Sequence, residues 1–251
     1  MMLPVTRIAP TPSGFLHGGN RLNFQTTADL ADALGARLVL RIDDVDAARY
    51  RREYVDDIFT TLQDMGITWH SGPRDADDFE QHWSQRRKTE YYGHELTAAR
   101  DRGLPVYACA CSRTQQRGPA TGGCVGGCRD QHLALVTGET ALRIAIPTDT
   151  MVQVGDTTVD LASRMGDFVV WRRDGLPSYQ FVSVIEDRDL GVTHIVRGED
   201  LLHSSAAQIH LAAWLNASGV AGATYVHHGL VTDAAGMKLS KSTLNREEGT
   251  P

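Results

Sequence analysis

The chain has 251 residues, a formal net charge of −6, 41% hydrophobic and 22% charged residues, which is the composition of a globular protein with one full-sized core and room for a small insert. No apolar run reaches the length of a bilayer span, and the MMLPVTR start lacks the apolar segment of a signal peptide, so a cytoplasmic protein is expected. The negative charge speaks against a large nucleic-acid footprint and leaves room for a local basic face, at Arg49, Arg51 and Arg52 or at Arg172 and Arg173.

Residues 5–9 read as a short buried strand. Pro10, Pro12 and Gly14 break it, and a long helix opens near Gly18. A strand, a tight small-residue turn and an exposed helix N-terminus favour bound phosphate, through backbone N–H groups and the helix dipole. Gly18 and Gly19 allow close approach to the backbone, and His17 and Asn20 add polar side chains on the same rim. From this stretch alone, an ordinary βα turn with a chance histidine is the better reading.

Leu22, Phe24, Ala28, Ala31 and Leu34 recur at helical spacing, with Gly35 as the stop. Residues 36–42 are apolar at nearly every position, as a central parallel strand should be, and end in Asp43, Asp44 and Asp46. Ligands sit at such carboxyl ends in open α/β sheets. Three close acids also suit a metal, a helix cap or pairing with arginines. The next helix, residues 50–65, carries Tyr54, Val55, Ile58, Phe59, Leu62 and Met65 on one face and ends at Gly66. A third helical stretch runs over residues 79–102 to Gly103. The alternation predicts an α/β fold with a doubly wound parallel sheet.

Residues 105–111 open a different region, and residues 112–131 are rich in Gly, Arg and Gln with no hydrophobic period. Short strands are expected over residues 142–146, 150–154 and 157–161, with Gly155 and Asp156 as a hairpin turn. The parallel core is expected to resume with strands at residues 167–171, 179–185 and 194–197, followed by a helix over residues 204–216 with Ala207, Ile209, Leu211, Ala212 and Leu215 inward. The predicted organisation is a first catalytic half at residues 1–104, an insert at 105–165 and a second half at 166–251.

All four cysteines, Cys109, Cys111, Cys124 and Cys128, fall in that insert as two close pairs across a Gly-rich loop. Thiolates are the preferred soft ligands of structural zinc, and two such pairs can close a tetrahedron. Two disulfides or four unrelated thiols are the competing readings. A cytoplasmic setting disfavours the first and the clustering disfavours the second. With all four positions used, such a site is structural.

His17-Gly18-Gly19-Asn20 pairs with a distant stretch, Lys238-Leu239-Ser240-Lys241-Ser242. Together they resemble the HIGH and KMSKS signatures of class I aminoacyl-tRNA synthetases. Residues 7–13 (RIAPTPS) and 41–46 (RIDDVD) narrow the resemblance to the glutamyl branch. It runs over nearly the whole chain in the expected order, and implies a Rossmann-like catalytic domain that activates glutamate with ATP, with Mg2+ as companion ion. By resemblance, His17, Gly19 and Asn20 line the ATP. Lys241, with Lys238 nearby, grips departing pyrophosphate from a loop hinged at Gly236, and Arg7, Ala9, Thr11, Tyr179 and Arg197 hold the amino acid. Two fixed arginines suit a substrate with two carboxylates, although Arg7 and Arg197 also read as buried structural arginines, the latter beside Glu199 and Asp200. The family usually has glutamate at Asp43, where the side chain takes the substrate α-amino group, so a direct contact there is shortened by one methylene.

Glutamyl-Q members of this branch also place several cysteines in the insert, which the resemblance makes a zinc-binding loop near the acceptor. The sequence ends soon after Ser242, with no anticodon-binding domain, as in the short glutamyl-Q members that transfer glutamate to the queuosine base in the anticodon stem-loop of tRNA(Asp). Those members generally carry extra C-terminal helices that this sequence lacks. A monomer is expected. Transfer to a non-tRNA acceptor and a non-catalytic nucleotide-binding role are the alternative readings.

Overall fold

The computed structural model describes residues 3–46, 48, 50–111, 124 and 127–230. In chain order the elements are β1 Val5–Ile8, α1 Gly18–Leu34, β2 Arg37–Leu40, α2 Arg52–Asp64, α3 Ala76–Asp78, α4 Thr89–Asp101, β3 Val106–Cys109, β4 Ala141–Ile144, β5 Met151–Val154, β6 Thr157–Asp160, α5 Leu161–Arg164, β7 Val169–Trp171, α6 Tyr179–Asp189, β8 His194–Gly198, α7 Leu202–Ala212, α8 Ser218–Ala221 and β9 Thr224–His228. They fall into two compact units, one built on Met1–Arg87, Val192–Leu201 and Thr224–Pro251, the other on Lys88–Gly191 and Leu202–Ala223. No described helix is long and apolar enough to cross a membrane.

The first unit is a four-stranded sheet in the order β2-β1-β8-β9, with every pairing parallel. Leu38, Val39 and Leu40 are each at most 3% exposed, as the near-continuous apolar run predicts for a strand covered on both faces. Phe24 and Ala31 of α1 and Val55, Ile58, Phe59 and Leu62 of α2 join Ile8, Leu38 and Leu40 in one core. The glycines expected to stop the helices, Gly35, Gly66 and Gly103, all have positive φ. Within α1 the buried face is Phe24, Thr27 and Ala31, while Leu22 and Leu34 are exposed. Leu22 lies two residues from Phe24, which is roughly 160° away around a helix, so it cannot share that face.

The expected third helix is broken. After α3 come a π turn, Phe79–Trp83, and a 3-10 turn, Gln85–Lys88, before α4 begins. The break sits at Ser84, whose ψ of 127 leaves the helical region. Polar bonds to Asp44, described below, compensate the interrupted ladder.

The second unit contains a three-stranded antiparallel sheet, β3-β4-β7, and the β5-β6 hairpin, which turns at Gly155 and Asp156 as expected. Two strands assigned to the parallel core from the sequence are corrected here. Residues 169–171 pair antiparallel with β4, and residues 179–185 are helical, forming most of α6. Ser178 caps α6 by accepting from the Phe181 N–H, and every residue from Phe181 to Asp187 is buried. A helix enclosed on all sides shows no polar face, and the apolar run of α6, interrupted only by Ser183 between Phe181 and Ile185, cannot be told by periodicity from a buried strand. In α7, Ala207, Leu211 and Ala212 point inward as expected, and Gln208 is equally buried, bonded through its amide nitrogen to Gln180 at 2.9 Å.

Candidate functional site

All four parallel strands of the first unit end on one edge, as their common direction requires, and the expected site residues of that unit gather there. The Arg41 N–H donates to the Ile8 carbonyl and the Asp43 N–H to the Pro10 carbonyl, both at 2.9 Å, so the chain beyond β2 runs beside the turn carrying Ala9 and Thr11. Arg7 lies on β1 opposite Val39 and is 3% exposed. Arg197 lies near the end of β8, also 3% exposed.

The N-terminus of α1 opens onto this edge. His17 is its N-cap, and its Nδ1 accepts from the Gly19 N–H at 3.1 Å. Asn20 answers by accepting the His17 N–H on its Oδ1, also at 3.1 Å. This is a capping box built from imidazole and amide instead of hydroxyl and carboxylate. With Nδ1 accepting, a neutral ring carries its proton on Nε2. No acidic residue sits in the first turn, so the positive end of the helix dipole is not neutralised from within the helix. Gly19 makes room for the ring, because a Cβ there would stand 3.0 Å from His17 Cε1 and the imidazole would have to give way by a few tenths of an ångström.

At the end of β2, Asp43 accepts from Arg41 through both oxygens, Nε to Oδ1 at 2.7 Å and Nη2 to Oδ2 at 3.0 Å, and Gln85 Nε2 adds a third bond at 2.8 Å. Asp44 accepts from the Ser84 hydroxyl at 2.6 Å, the Gln85 N–H at 2.7 Å and Arg86 Nε at 2.9 Å. Arg86 also lies over the Tyr50 ring, 4.0 Å from its centre. Of the readings open for this acid cluster, arginine pairing is the one seen for Asp43 and Asp44. Ser84, Gln85 and Arg86 were not anticipated as partners. The polar run Ser84-Gln85-Arg86-Arg87 inside an otherwise helical stretch is the signal that could have marked them.

A second network was also missed. Asn23 of α1 donates through Nδ2 to the Val196 carbonyl at 3.4 Å and meets His228 Nε2 at 3.1 Å. His228 Nδ1 lies 2.9 Å from the Gly229 carbonyl, so Nδ1 is the donor and Nε2 the acceptor. Beside it, burial, the Arg197 charge and His228 hold the His227 ring below its usual pKa. An aromatic and polar run, Tyr225-Val226-His227-His228, was the available hint of β9.

In the second unit the four cysteine sulfurs all lie within 4.8 Å of one another, and none forms a disulfide. Cys111 Sγ is 3.6 Å from both Cys124 Sγ and Cys128 Sγ. A tetrahedron with metal–sulfur bonds of about 2.3 Å has sulfur–sulfur edges of about 3.8 Å, so the donor set fits a metal ion of that coordination. Burial pushes the Cys109 thiol up, a cost that a bound cation reverses. Asp167 braces the cluster from outside. It accepts from Tyr107 Oη at 2.6 Å, the Ile146 N–H at 2.9 Å and Arg129 Nε at 2.6 Å, and Arg129 directly follows Cys128. Burial alone would raise the Asp167 carboxyl, but the bonds from Arg129, Ile146 and Tyr107 outweigh it and hold it below the usual carboxylate range.

Tyr179 belongs to the second unit, where it is the first residue of α6 and 40% exposed. Gly236, Lys238 and Lys241 lie outside the described residues.

The family model described as tRNA synthetases class I (E and Q), catalytic domain, matches residues 4–111 and 130–248. A glutamyl-Q tRNA(Asp) synthetase of Verminephrobacter eiseniae (strain EF01-2) is 38% identical over 251 residues, covering 94% of this chain and 80% of the relative. One from Neisseria meningitidis serogroup C / serotype 2a is 36% identical over 250 residues, covering 95% and 80%. A crystal structure of a glutamate tRNA ligase from Elizabethkingia meningosepticum CCUG26117, in complex with its amino acid, has a TM-score of 0.77 at 21% identity. This chain is covered fully and spans 54% of that one, so the likeness speaks for the fold. With the family model matched on both sides of the cysteine loop, and curated relatives matched over most of their own length, the chain belongs to the class I (E and Q) tRNA synthetase catalytic-domain family.

Proposed function

We propose that the protein activates glutamate with ATP to glutamyl-adenylate and transfers the glutamyl group to the queuosine base of tRNA(Asp), in the cytoplasm. The observation that carries this reading is the reciprocal His17–Asn20 cap at the carboxyl edge of the parallel sheet, in a chain of this family whose curated relatives are named for that reaction. The division into catalytic halves at residues 1–104 and 166–251 around an insert at 105–165 belongs to the same proposal.

Activation is an in-line attack by the substrate α-carboxylate on the α-phosphorus of ATP. The bond to the bridging oxygen breaks and pyrophosphate leaves; Mg2+ arriving with ATP would offset part of its charge. The protein supplies position and charge. In this reading His17, Gly19 and Asn20 present the α1 N-terminus to the phosphates, and Lys238 and Lys241 meet the leaving pyrophosphate. Arg7 and Arg197 receive the two carboxylates of glutamate, with Ala9, Thr11 and Tyr179 completing the amino-acid site. Asp43 keeps one lone pair on Oδ2 beyond those engaged by Arg41 and Gln85, enough to accept one bond from the substrate ammonium. Cys109, Cys111, Cys124 and Cys128 would hold zinc, which when bound cross-links the loop and supplies no step of the reaction.

The test is amino-acid-dependent ATP–pyrophosphate exchange with glutamate, aspartate and glutamine and no tRNA. Glutamate alone is expected to support exchange. Exchange with another amino acid would overturn the substrate, and silence with all three would overturn tRNA-independent activation. Transfer is then expected to queuosine-bearing tRNA(Asp) and not to the unmodified transcript.

A further inference from the structure

The sheet that carries the cysteine loop also builds a basic cavity that the adenylation chemistry does not use. Its volume is about 410 Å³, within the range of ligand sites, and its lining includes Cys111, Ala141, Arg143, Arg172, Arg173 and Asp174. The register explains why it forms. Cys109 lies opposite Ala141 and Tyr107 opposite Arg143, and cross-strand partners face the same side, so Arg143 and the buried Cys109 share one face of the sheet, while Cys111, two residues further on, lines the cavity. A bulge between Leu142 and Arg143 shifts the pairing so that Arg143 meets Val169. Immediately beyond β7, Arg172 and Arg173 enter a turn closed by the Gly175 N–H on the Arg172 carbonyl at 3.1 Å.

Three guanidiniums meet one carboxylate in this lining. Arg172 pairs with Asp174 through both Nε, at 3.1 Å, and Nη2, so a phosphate would share its fork with that carboxylate, and Arg143 donates to the Asp167 carbonyl. Arg173 uses Nη2 for the carbonyls of Ala110 at 2.8 Å and Cys111 at 3.1 Å, and among the described residues its Nε and Nη1 make no hydrogen bond. A chain with net charge −6 attracts a polyanion poorly at long range, so contact with one has to be concentrated where cations gather. Planar guanidinium forks match phosphate oxygens.

We propose that this cavity binds a backbone phosphate of the RNA acceptor. The proposal rests on the reading that the acceptor is an RNA, and goes beyond it in assigning Arg172 and Arg173 to that contact. Arg172→Gln and Arg173→Gln are compared with the zinc-loaded full chain by fluorescence anisotropy with labelled queuosine-bearing tRNA(Asp) across a salt series. Each variant is expected to bind roughly tenfold more weakly, with the slope of log affinity against log salt reduced by about 1. Zinc content and glutamate-dependent exchange without tRNA should stay unchanged, and Arg172→Lys should restore the slope. Unchanged RNA affinity in both variants overturns the proposal. So does zinc lost in step with RNA binding, which would make the arginines counter-charges of the metal loop. If the variants lose protection by inorganic phosphate against heating yet keep RNA affinity, the cavity holds a free anion and the RNA assignment falls. Failure of wild-type exchange would sink the adenylation reading alone, because the RNA titration decides the cavity independently.

Discussion

His17 does two jobs that a substitution can separate. As the N-cap of α1 it satisfies a helix donor, and in the proposed reaction its ring faces the phosphates. Replacing His17 by Ala should cost about 1 kcal/mol of stability for the lost cap, whereas exchange should fall roughly a hundredfold for a lost charge-stabilising donor. Melting curves set beside exchange rates check this, and a rate loss no larger than the stability loss would reduce His17 to a cap. Gly19→Ala separates the two more sharply. Alanine is the better helix former by up to about 1 kcal/mol, but its Cβ would meet the imidazole at 3.0 Å and displace it. Because a shifted ring also weakens the cap, the helix gain is offset, and the variant is expected to melt close to the parent while losing exchange. The meeting of His17 and Asn20 at the start of α1 was legible in the sequence because a strand, a turn and a helix start are local. Asn23 and His228 were not, since their contact spans 205 positions and nothing in either stretch names the other.

Helices were legible where one face meets solvent, whereas an enclosed segment shows no helical period and reads as a strand, rightly for β2 and wrongly for α6. α2 shows a clean stripe because Arg52, Glu53 and Asp56 stay outside, whereas α6 is enclosed and its sequence reads equally well as a strand. The cysteine pairs announced their own proximity, but not what aims them. That work falls to Asp167, which ties β3 through Tyr107, the chain after β4 through Ile146 and the Cys128 turn through Arg129. Its pKa in the fold lies below the unfolded value, so the stability it contributes is fully present above about pH 4 and is lost as pH falls through the folded-state pKa. Asp167→Asn should therefore destabilise the protein by roughly 2 kcal/mol near neutral pH, with the gap from the parent closing in acid. Denaturant melts between neutral pH and pH 3 measure it, and a gap that stays constant would show that the carboxylate charge is not what matters.

For the whole molecule, the proposed reaction needs an adenylating centre and an acceptor contact, and most residues proposed for the two fall in different units: His17, Asn20, Asp43 and Arg197 in the first, the cysteines and the arginine cavity in the second, with Tyr179 the one proposed amino-acid contact that the second unit also carries. Metal removal should therefore split the activity. Four thiols gathered within 4.8 Å without a disulfide gain little from one another, and a cation is what makes that arrangement favourable. A chelator is expected to release one zinc per chain, expose four reactive thiols and lower the melting temperature. Below that lower temperature, exchange with glutamate should persist while transfer to tRNA(Asp) falls, because the loop supplies no group to the adenylation step. Cys128→Ser should reproduce this without chelator, since it removes one ligand and leaves the first unit untouched. If exchange and transfer were lost together well below the melting temperature, the metal would serve the adenylating centre too, and the separation of roles between the units would be wrong.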